Sequence, residues 1–229
     1  DLSHEVREAA DRVRTALRNT GIDLPPRKIT VNLSPAHIRK EGTGFDLPVA
    51  AALLAALGIL KEQDIEDVLI VGEIGLNGRV RPVNGVLQTV MLAKELGCRQ
   101  CLVPRENAGE GAVIRGIQVV GVETLEELIV CLQDGRVSAE RAARPADWKE
   151  GRGTYREDFR EVNGQSAVRR AAEIAAAGMH NLLMVGSPGA GKTMVARRMP
   201  SILPGLTLEE SLEISRVYSA CGLLTGKEG

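Results

Sequence analysis

The hydrophobic positions in the first part of the chain recur with two periods, one typical of helices and one typical of strands. Residues 3–19 place apolar side chains along a helical stripe, and Gly21 is expected to end that helix. Residues 29–33 alternate apolar and polar side chains, which predicts a strand. Residues 48–57 are apolar on every side, so we expect a buried helix that lies under a sheet.

The middle of the chain alternates strand and helix patterns. Asn77-Gly78 separates two apolar runs, and because both residues tolerate positive φ, residues 68–83 predict a β-hairpin. Thr124 and Glu127 form a capping box, in which a hydroxyl and a carboxylate satisfy free amides at the start of a helix. Together with its neighbours, this pattern predicts one α/β core over residues 1–135. The other elements are a helix at 86–96 and buried strands at 100–103 and 117–122.

The last part of the chain predicts several helices and a single strand. A helical stripe covers residues 166–178, and the apolar segment 181–186 predicts a strand. A helix follows to about Met199, and a capping box at Thr207 and Glu210 predicts another. An open α/β sheet usually has several strands. We therefore expect this region to be the first part of a longer domain, and the sequence to be a fragment.

Residues 138–160 differ in composition from both flanking regions. Charges of both signs alternate closely there, with Gly and Pro interspersed. Such a composition predicts a solvated linker between two domains. A second interpretation stays open, in which the basic residues of this stretch contact DNA phosphates.

The composition excludes several classes of protein. The longest apolar run is residues 47–60, and a membrane-spanning helix needs about 20 residues, so we expect a buried helix and no membrane association. Lys and Arg total 29 against 30 Asp and Glu, which leaves no global basic field for nucleic acid. Aromatic residues make up 2% of the chain, too few for a platform that stacks single-stranded bases.

The four cysteines are sparse for a chain of this length, which predicts a reducing compartment and therefore the cytoplasm. Cys98 and Cys101 have C-x-x-C spacing, but no second pair completes a zinc site. The pair lies between a predicted helix end and a strand, whereas a redox pair is expected to open a helix after a strand. We therefore expect two ordinary cysteines.

The most specific motif is a glycine-rich loop that fits the pattern G-x-x-x-x-G-K-[ST]. Gly186 and Gly191 let the backbone turn tightly around a phosphate, with help from Gly189, so that loop amides and the start of the next helix point at it. Lys192 is expected to reach the β- and γ-phosphates of ATP, and Thr193 to ligate Mg²⁺. The predicted nucleotide-binding residues of the loop are Gly186, Ser187, Pro188, Gly189, Ala190, Gly191, Lys192 and Thr193.

Binding a phosphate is separate from hydrolysing it. Turnover also needs an acidic strand that helps to hold Mg²⁺ and activate water, and usually an arginine aimed at the γ-phosphate. No apolar run that ends in Asp-Glu follows Thr193 in this sequence. We therefore expect a longer parent protein to be an ATPase with Lys192 as a catalytic residue, and the 229-residue chain alone not to turn over.

Two blocks of sequence resemble the magnesium-chelatase-like family known as ComM or YifB. The start of that family's AAA+ module is similar to VNGQSAVRRAAEIAAAGMHNLLMVGSPGAGKTMVARRMPSILPGL, and its N-terminal domain is similar to KEGTGFDLPVAAALL with VGEIGLNGRVRPVNGV. The resemblance implies an α/β fold with three parts. These are a Lon-protease-like domain at 1–137, the linker at 138–160 and the first part of a P-loop AAA+ domain at 161–229. It also implies that the stretch from Val162 to Gln165 flanks the adenine of ATP, with Val162 and Gly164 as its binding residues.

The same resemblance implies an activity and an assembly. AAA+ modules of this family form hexameric rings, and some members act as helicases that drive branch migration of DNA during natural transformation. Related chelatase subunits power the insertion of magnesium into porphyrin. At the positions that correspond to the catalytic serine and lysine of Lon, this sequence has Asp46 and Thr89. Since Asp and Thr cannot form a Ser–Lys pair, we expect no peptidase activity.

Three functions remain as alternatives. The first is an ATP-driven motor that acts on DNA, which is the expectation we favour. The second is a motor for another cargo, such as a metal-chelatase partner or a protein that is remodelled. The third is a non-enzymatic module that binds a partner and uses nucleotide as a switch.

Overall fold

The computed structural model describes residues 4–26, 29–33, 43–134 and 155–224. The chain divides into a first unit, Asp1–Asp147 with Ile214–Gly229, and a second unit, Trp148–Glu213. The strands are β1 Val68–Ile70, β2 Glu73–Ile74, β3 Val80–Arg81, β4 Gln100–Pro104 and β5 Gln118–Val122. The helices are α1 His4–Asn19, α2 Asp46–Ala56, α3 Glu62–Ile65, α4 Val86–Glu95, α5 Ala108–Ala112, α6 Leu125–Gln133, α7 Ser166–Ala177, α8 Lys192–Arg198 and α9 Leu208–Ala220. Short 3₁₀ helices lie at Arg105–Asn107, Phe159–Glu161 and Met199–Ile202.

A three-stranded parallel sheet lies at the centre of the first unit. Its strand order is β1-β4-β5, and Gln100 of β4 lies beside Val68 of β1 and Gln118 of β5. Every residue of β4 is buried, as expected for a central strand of a parallel sheet. The strands predicted at 100–103 and 117–122 are confirmed, and so is the α/β class.

The hairpin predicted at residues 68–83 forms only around its turn. β2 and β3 pair antiparallel on either side of Gly78, which has a φ of 76°. β1 pairs with β4 instead, so that part of the prediction is wrong. The chain leaves the sheet at Gly72, whose amide donates to the Gly44 carbonyl and whose carbonyl accepts from the Leu47 amide, each at 3.0 Å. These tertiary hydrogen bonds separate β1 from the hairpin.

The hydrophobic core of the first unit joins the sheet to α1, α2 and α6. Leu17, Leu54, Leu102 and Leu128 contribute fully buried side chains to this core. The buried helix predicted at 48–57 is confirmed as α2. The first predicted helix is confirmed as α1, and the helix predicted at 86–96 is confirmed as α4.

The strand predicted at residues 29–33 is wrong, because these residues pair with no strand in the described part of the chain. Val31 and Leu33 nevertheless pack against the core of the first unit as partly buried side chains. The alternation of apolar and polar residues in this extended segment therefore reflects that one side of it packs against the core. A strand needs a neighbour whose backbone can accept and donate hydrogen bonds.

The capping box predicted at Thr207 and Glu210 forms in full, and the one at Thr124 and Glu127 forms in part. The Glu127 amide donates to Thr124 Oγ1 at 3.2 Å, although the Glu127 carboxylate accepts from the amide of Glu123, one residue earlier than predicted. At α9, the Glu210 amide donates to Thr207 Oγ1 at 3.2 Å and the Thr207 amide donates to Glu210 Oε2 at 2.8 Å. Hydrogen bonds from Thr207 lower the pKa of the Glu210 carboxyl group, so acid pH weakens this cap as the group protonates.

The second unit packs around a small apolar cluster. Its buried members are Phe159, Val162, Ala172 of α7 and Val195 of α8. The helices predicted from Ser166 and after the glycine-rich loop are confirmed as α7 and α8. The cluster thus holds together the segment before α7, α7 itself and the helix that follows the loop.

The strand predicted at residues 181–186 does not pair within the described residues. Leu182 and Met184 pack against the apolar cluster, whereas Leu183 and Val185 are 86% and 88% exposed. The segment has the side-chain alternation of a strand without a strand partner. Periodicity reports which side chains are buried, and it does not report whether a neighbouring strand is present.

The domain boundaries at 1–137 and 161–229 stay a prediction. Most of the linker predicted at 138–160 lies outside the described residues. Among the helices that the structure describes, none is long and apolar enough to cross a membrane.

Candidate functional site

The glycine-rich loop lies in the second unit, between the extended segment 181–186 and α8. Gly189 and Gly191 both have positive φ, 83° and 80°. Gly191 directly precedes the first residue of α8, and its carbonyl accepts from the Val195 amide at 3.0 Å. The two left-handed glycines let the chain turn back on itself and enter the helix with Lys192 as its first residue.

The Gly191→Ala substitution should weaken phosphate binding through backbone strain alone. A Cβ at Gly191 would meet Gln165 Nε2 and Met194 Cε at 3.8 Å, which is ordinary contact. We expect the empty loop of the variant to relax from the left-handed backbone, so that binding must restore it at a cost of about 1–2 kcal/mol, which corresponds to roughly five- to thirtyfold in affinity. Titration of the 229-residue chain with inorganic tripolyphosphate checks this expectation.

Gly205→Ala is the matched control for that measurement. Gly205 also lies in the second unit, has no atom within 4 Å of its added Cβ and has no positive φ. It should leave the affinity unchanged. Equal losses in Gly191→Ala and Gly205→Ala would contradict the assignment of strain to Gly191.

Lys192 turns back over the loop that precedes it. Its Nζ donates to the carbonyls of Gly186 and Ser187, each at 2.8 Å. An ammonium group is a compact point charge with three donors, so it can exchange such carbonyls for phosphate oxygens. The loop therefore presents a cation next to the first turn of α8.

A cavity of about 330 Å³ adjoins the loop within the second unit. It is formed between α7, the segment 181–186 and the start of α8. Most of its wall is apolar, which suits a flat aromatic or sugar group better than a second phosphate. Among the lining residues are Gln165, Val168, Leu182, Met184, Gly191 and Lys192.

Val162 and Gly164, which are expected to flank adenine, precede Gln165 in the chain but do not line the cavity themselves. Val162 is buried in the apolar cluster, and Gly164 has a φ of 70° with no atom within 4 Å of an added Cβ. Gln165, the next residue, lines the cavity and has a left-handed backbone with φ 48° and ψ 52°. The adenine-flanking role of Val162 and Gly164 stays a prediction.

Sequence reasoning missed a cluster of charges that connects α8 to the segment before α7. Arg198, at the end of α8, binds the carboxylates of Glu157 and Glu161. The partners are 41 and 37 residues apart, and no local pattern connects such distant positions. Only the fold brings them together.

The other positions singled out in the sequence have structural roles. Asp46 is fully buried and accepts hydrogen bonds from Arg12, and the Thr89 hydroxyl donates to the Gly85 carbonyl at 2.9 Å. Cys98 and Cys101 are free thiols. Burial, followed by the proximity of Cys98, raises the pKa of the Cys101 thiol to about 12, so it has little thiolate character.

The residues of the loop fit an ATP phosphate and a magnesium ion. In the described residues, no group of three or more His, Cys, Asp and Glu side chains could hold a metal by itself. Mg²⁺ characteristically uses one or two protein ligands together with phosphate oxygens and water. The exposed Thr193 hydroxyl next to Lys192 is a suitable protein ligand of this kind.

Both parts of the chain match family models. Residues 2–107 match the model described as subunit ChlI of Mg-chelatase, and residues 158–229 match the model described as magnesium chelatase, subunit ChlI. The second match includes the whole glycine-rich loop. The two models follow each other along the chain in the order expected from the resemblance.

Similarity to individual proteins covers most of the chain. It is 42% identical over 214 residues to YifB of Salmonella typhimurium, which covers 93% of this chain and 41% of YifB. It is 37% identical over 217 residues to the competence protein ComM of Haemophilus influenzae, which covers 93% of this chain and 42% of ComM. It is 29% identical over 124 residues to Lon protease 2 of Bacillus subtilis, and this match covers 53% of this chain and 22% of that protease. The chain thus spans about two fifths of the length of YifB and ComM.

Proposed function

The chain belongs to the magnesium-chelatase-like family that includes YifB and ComM, and on this premise we propose that it binds ATP as part of an ATP-driven AAA+ motor. The observation that carries the proposal is the loop at Gly186–Thr193, with left-handed glycines, a cation on its rim and an adjoining cavity. Loop geometry, charge and cavity shape all suit one nucleotide.

The proposal assigns tasks to Gly189, Gly191, Lys192 and Thr193. The amides near Gly189 and Gly191 bind phosphate oxygens, and Lys192 exchanges its contacts with two loop carbonyls for contacts with the β- and γ-phosphates. Thr193 holds Mg²⁺, which when bound neutralises charge on the phosphates. The apolar cavity beside Gln165 receives the base and sugar.

Hydrolysis in this proposal depends on residues outside the loop. A carboxylate that completes the magnesium shell and a residue that orients water are both needed. Because no apolar run ending in Asp-Glu follows Thr193, the 229-residue chain supplies binding and a longer protein supplies turnover. The same proposal assigns no peptidase activity to the first unit, where the Asp46 carboxylate accepts hydrogen bonds from Arg12.

The cargo that we favour is DNA, with the AAA+ modules assembled as a homohexamer in the cytoplasm. The similarity to a protein named for competence supports DNA, and the low cysteine content, four in the whole sequence, is compatible with a reducing compartment. The magnesium-chelatase models favour a second candidate, a motor for a chelatase or another protein partner. A module without enzymatic activity is the third alternative.

Branched DNA distinguishes these cargoes. We expect the protein, extended to the length of its relatives, to migrate a four-way DNA junction only with ATP and Mg²⁺. Because the net charge of this chain is −1, binding should depend on a local basic surface and fall steeply with added salt. Phosphate release that is stimulated by a protein partner and unaffected by DNA would contradict the DNA motor and favour the second candidate.

A further inference from the structure

The last residue of α8 connects the phosphate loop to the chain that precedes α7. Arg198 Nε and Nη2 donate to Glu161 Oε2 at 2.9 and 2.6 Å, and Nη1 donates to Glu157 Oε2 at 3.1 Å. The Arg198 side chain is only 17% exposed. Its planar fork therefore holds two carboxylates at once, from either end of the 3₁₀ helix at Phe159–Glu161.

Two further contacts attach the same segment to the same end of the helix. The Phe159 amide donates to Ser201 Oγ at 2.9 Å, and Ser201 Oγ donates to the Arg198 carbonyl at 2.8 Å. Phe159 and Val162 pack in the apolar cluster with Val195, one turn before Arg198. The segment is thus held by an ionic, a polar and an apolar contact.

This segment leads directly to the wall of the cavity beside the loop. Gly164 and Gln165 have consecutive left-handed backbones, with φ of 70° and 48°. A left-handed non-glycine residue persists only where the surrounding structure holds it. Gln165 lines the cavity together with Gly191 and Lys192. The position of this wall relative to the phosphate loop therefore depends on what holds residues 157–162 against α8.

We infer that Arg198 is a positioning residue for the non-phosphate part of the nucleotide. It binds Glu157 and Glu161 and thereby sets the distance between the cavity wall at Gln165 and the phosphate loop, which leads into the helix that ends at Arg198. The inference rests on the proposed function, since it assigns the cavity to the base and sugar of ATP. Arg198 itself touches no phosphate in this role.

The test compares two ligands that share phosphates and differ in the base and sugar. For Arg198→Met, we expect the affinity of the 229-residue chain for ATP to fall by about tenfold, because binding must then position the cavity wall that the charge-assisted contacts of Arg198 otherwise hold. The affinity for inorganic tripolyphosphate should stay unchanged. Calorimetry with both ligands provides the measurement. Arg197→Met is the matched control, because Arg197 is an exposed cation one position earlier on α8, and it should change neither affinity.

Two milder variants keep the test decisive if Arg198→Met does not fold. Arg198→Lys retains the charge without the planar fork and should restore part of the ATP affinity. Glu161→Gln leaves Arg198 in place but removes its main carboxylate, and it should lower ATP affinity in the same selective way. A merely structural role would lower the affinities for ATP and tripolyphosphate together.

The outcomes separate this inference from the function on which it rests. Equal losses for both ligands, or no loss in any Arg198 or Glu161 variant, would overturn the positioning role while leaving the phosphate site intact. If the unaltered chain bound neither ATP nor tripolyphosphate, the proposed function itself would be wrong. A selective loss of ATP affinity in Arg198→Met and Glu161→Gln, absent in Arg197→Met, supports the inference.

Discussion

Replacing Lys192 by alanine is expected to weaken ATP binding by roughly ten- to a hundredfold, because a charge-assisted contact typically contributes about 1.5–3 kcal/mol. Lys192 is the first residue of α8, and its Nζ lies 2.8 Å from the carbonyls of Gly186 and Ser187. Alanine is a good helix former, so α8 should persist. Calorimetric titration of the 229-residue chain with ATP and Mg²⁺ measures the change.

Three effects act in that variant: two lower the affinity for ATP and the third offsets part of the loss. Removal of the ammonium group takes a cation from the phosphates, and it also frees two loop carbonyls that repel an incoming anion. Both effects lower affinity. The phosphates do not need to displace Lys192 in the variant, which offsets part of the loss. Because these contacts with the carbonyls are exposed to solvent, we expect this offset to be small.

Arg197→Ala controls for a general loss of positive charge. Arg197 is an exposed residue of the same helix, and its removal should leave ATP affinity within about twofold, since an exposed, screened charge contributes little. An equal effect of Arg197→Ala and Lys192→Ala would mean that ATP responds to net charge and not to the loop. In the same samples, phosphate release should stay at background. Hydrolysis by the 229-residue chain that depends on Lys192 would overturn the separation of binding from turnover.

Replacing Asp46 by asparagine is expected to lower the free energy of unfolding of the first unit by about 3 kcal/mol, near the lower end for breaking a buried ion pair. Asp46 is 0% exposed, and it accepts from Arg12 Nε and Nη2 at 3.0 and 2.9 Å and from the Ile74 amide at 3.2 Å. Asparagine keeps the shape and loses the charge. The Arg12 guanidinium, 22% exposed, would then be left with half of its fork unpaired.

The physical reason for so large an effect is that Asp46 joins three elements. It starts α2, binds α1 through Arg12 and binds β2 through the Ile74 amide. The hydrogen bond that Arg12 donates to Asp46 raises the pKa of the Arg12 guanidinium, although burial of this group lowers it. The arginine is therefore charged throughout the accessible pH range. When it loses the Asp46 carboxylate, deprotonation cannot reduce the energetic cost of the unpaired charge.

Glu8→Gln is the matched control, because Glu8 Oε2 lies 3.5 Å from Arg12 Nη1 on the surface of α1. An exposed pair of this kind contributes about 0–1 kcal/mol. Urea unfolding followed by amide exchange of Leu102 in β4 reports on the first unit. The combination of Arg12→Met with Asp46→Asn should cost less than the sum of the single changes, since the partners share one interaction. Additive losses, or equal losses in Glu8→Gln and Asp46→Asn, would contradict the structural role.

The amino-acid sequence was enough to predict the features that depend on neighbouring residues. Helix α1 followed from its apolar stripe, the starts of α6 and α9 from Thr124 and Thr207, and the loop from its glycines and Lys192. In each case the relevant hydrogen bonds or side-chain periodicity lie within a few residues. The family could be recognised for the same reason, because its two sequence blocks are continuous.

Packing of distant segments determines which extended segments pair as strands and which charged side chains form ion pairs. Residues 29–33 and 181–186 alternate as strands do, yet neither pairs within the described chain, because pairing needs a neighbouring strand. β1 pairs with β4 and is not part of the hairpin, because backbone hydrogen bonds of Gly72 with Gly44 and Leu47 separate the two. Asp46 pairs with Arg12, which is 34 residues away in the sequence, and Arg198 pairs with Glu161, which is 37 residues away. Contacts over such separations arise from packing of the whole chain, which no local pattern contains.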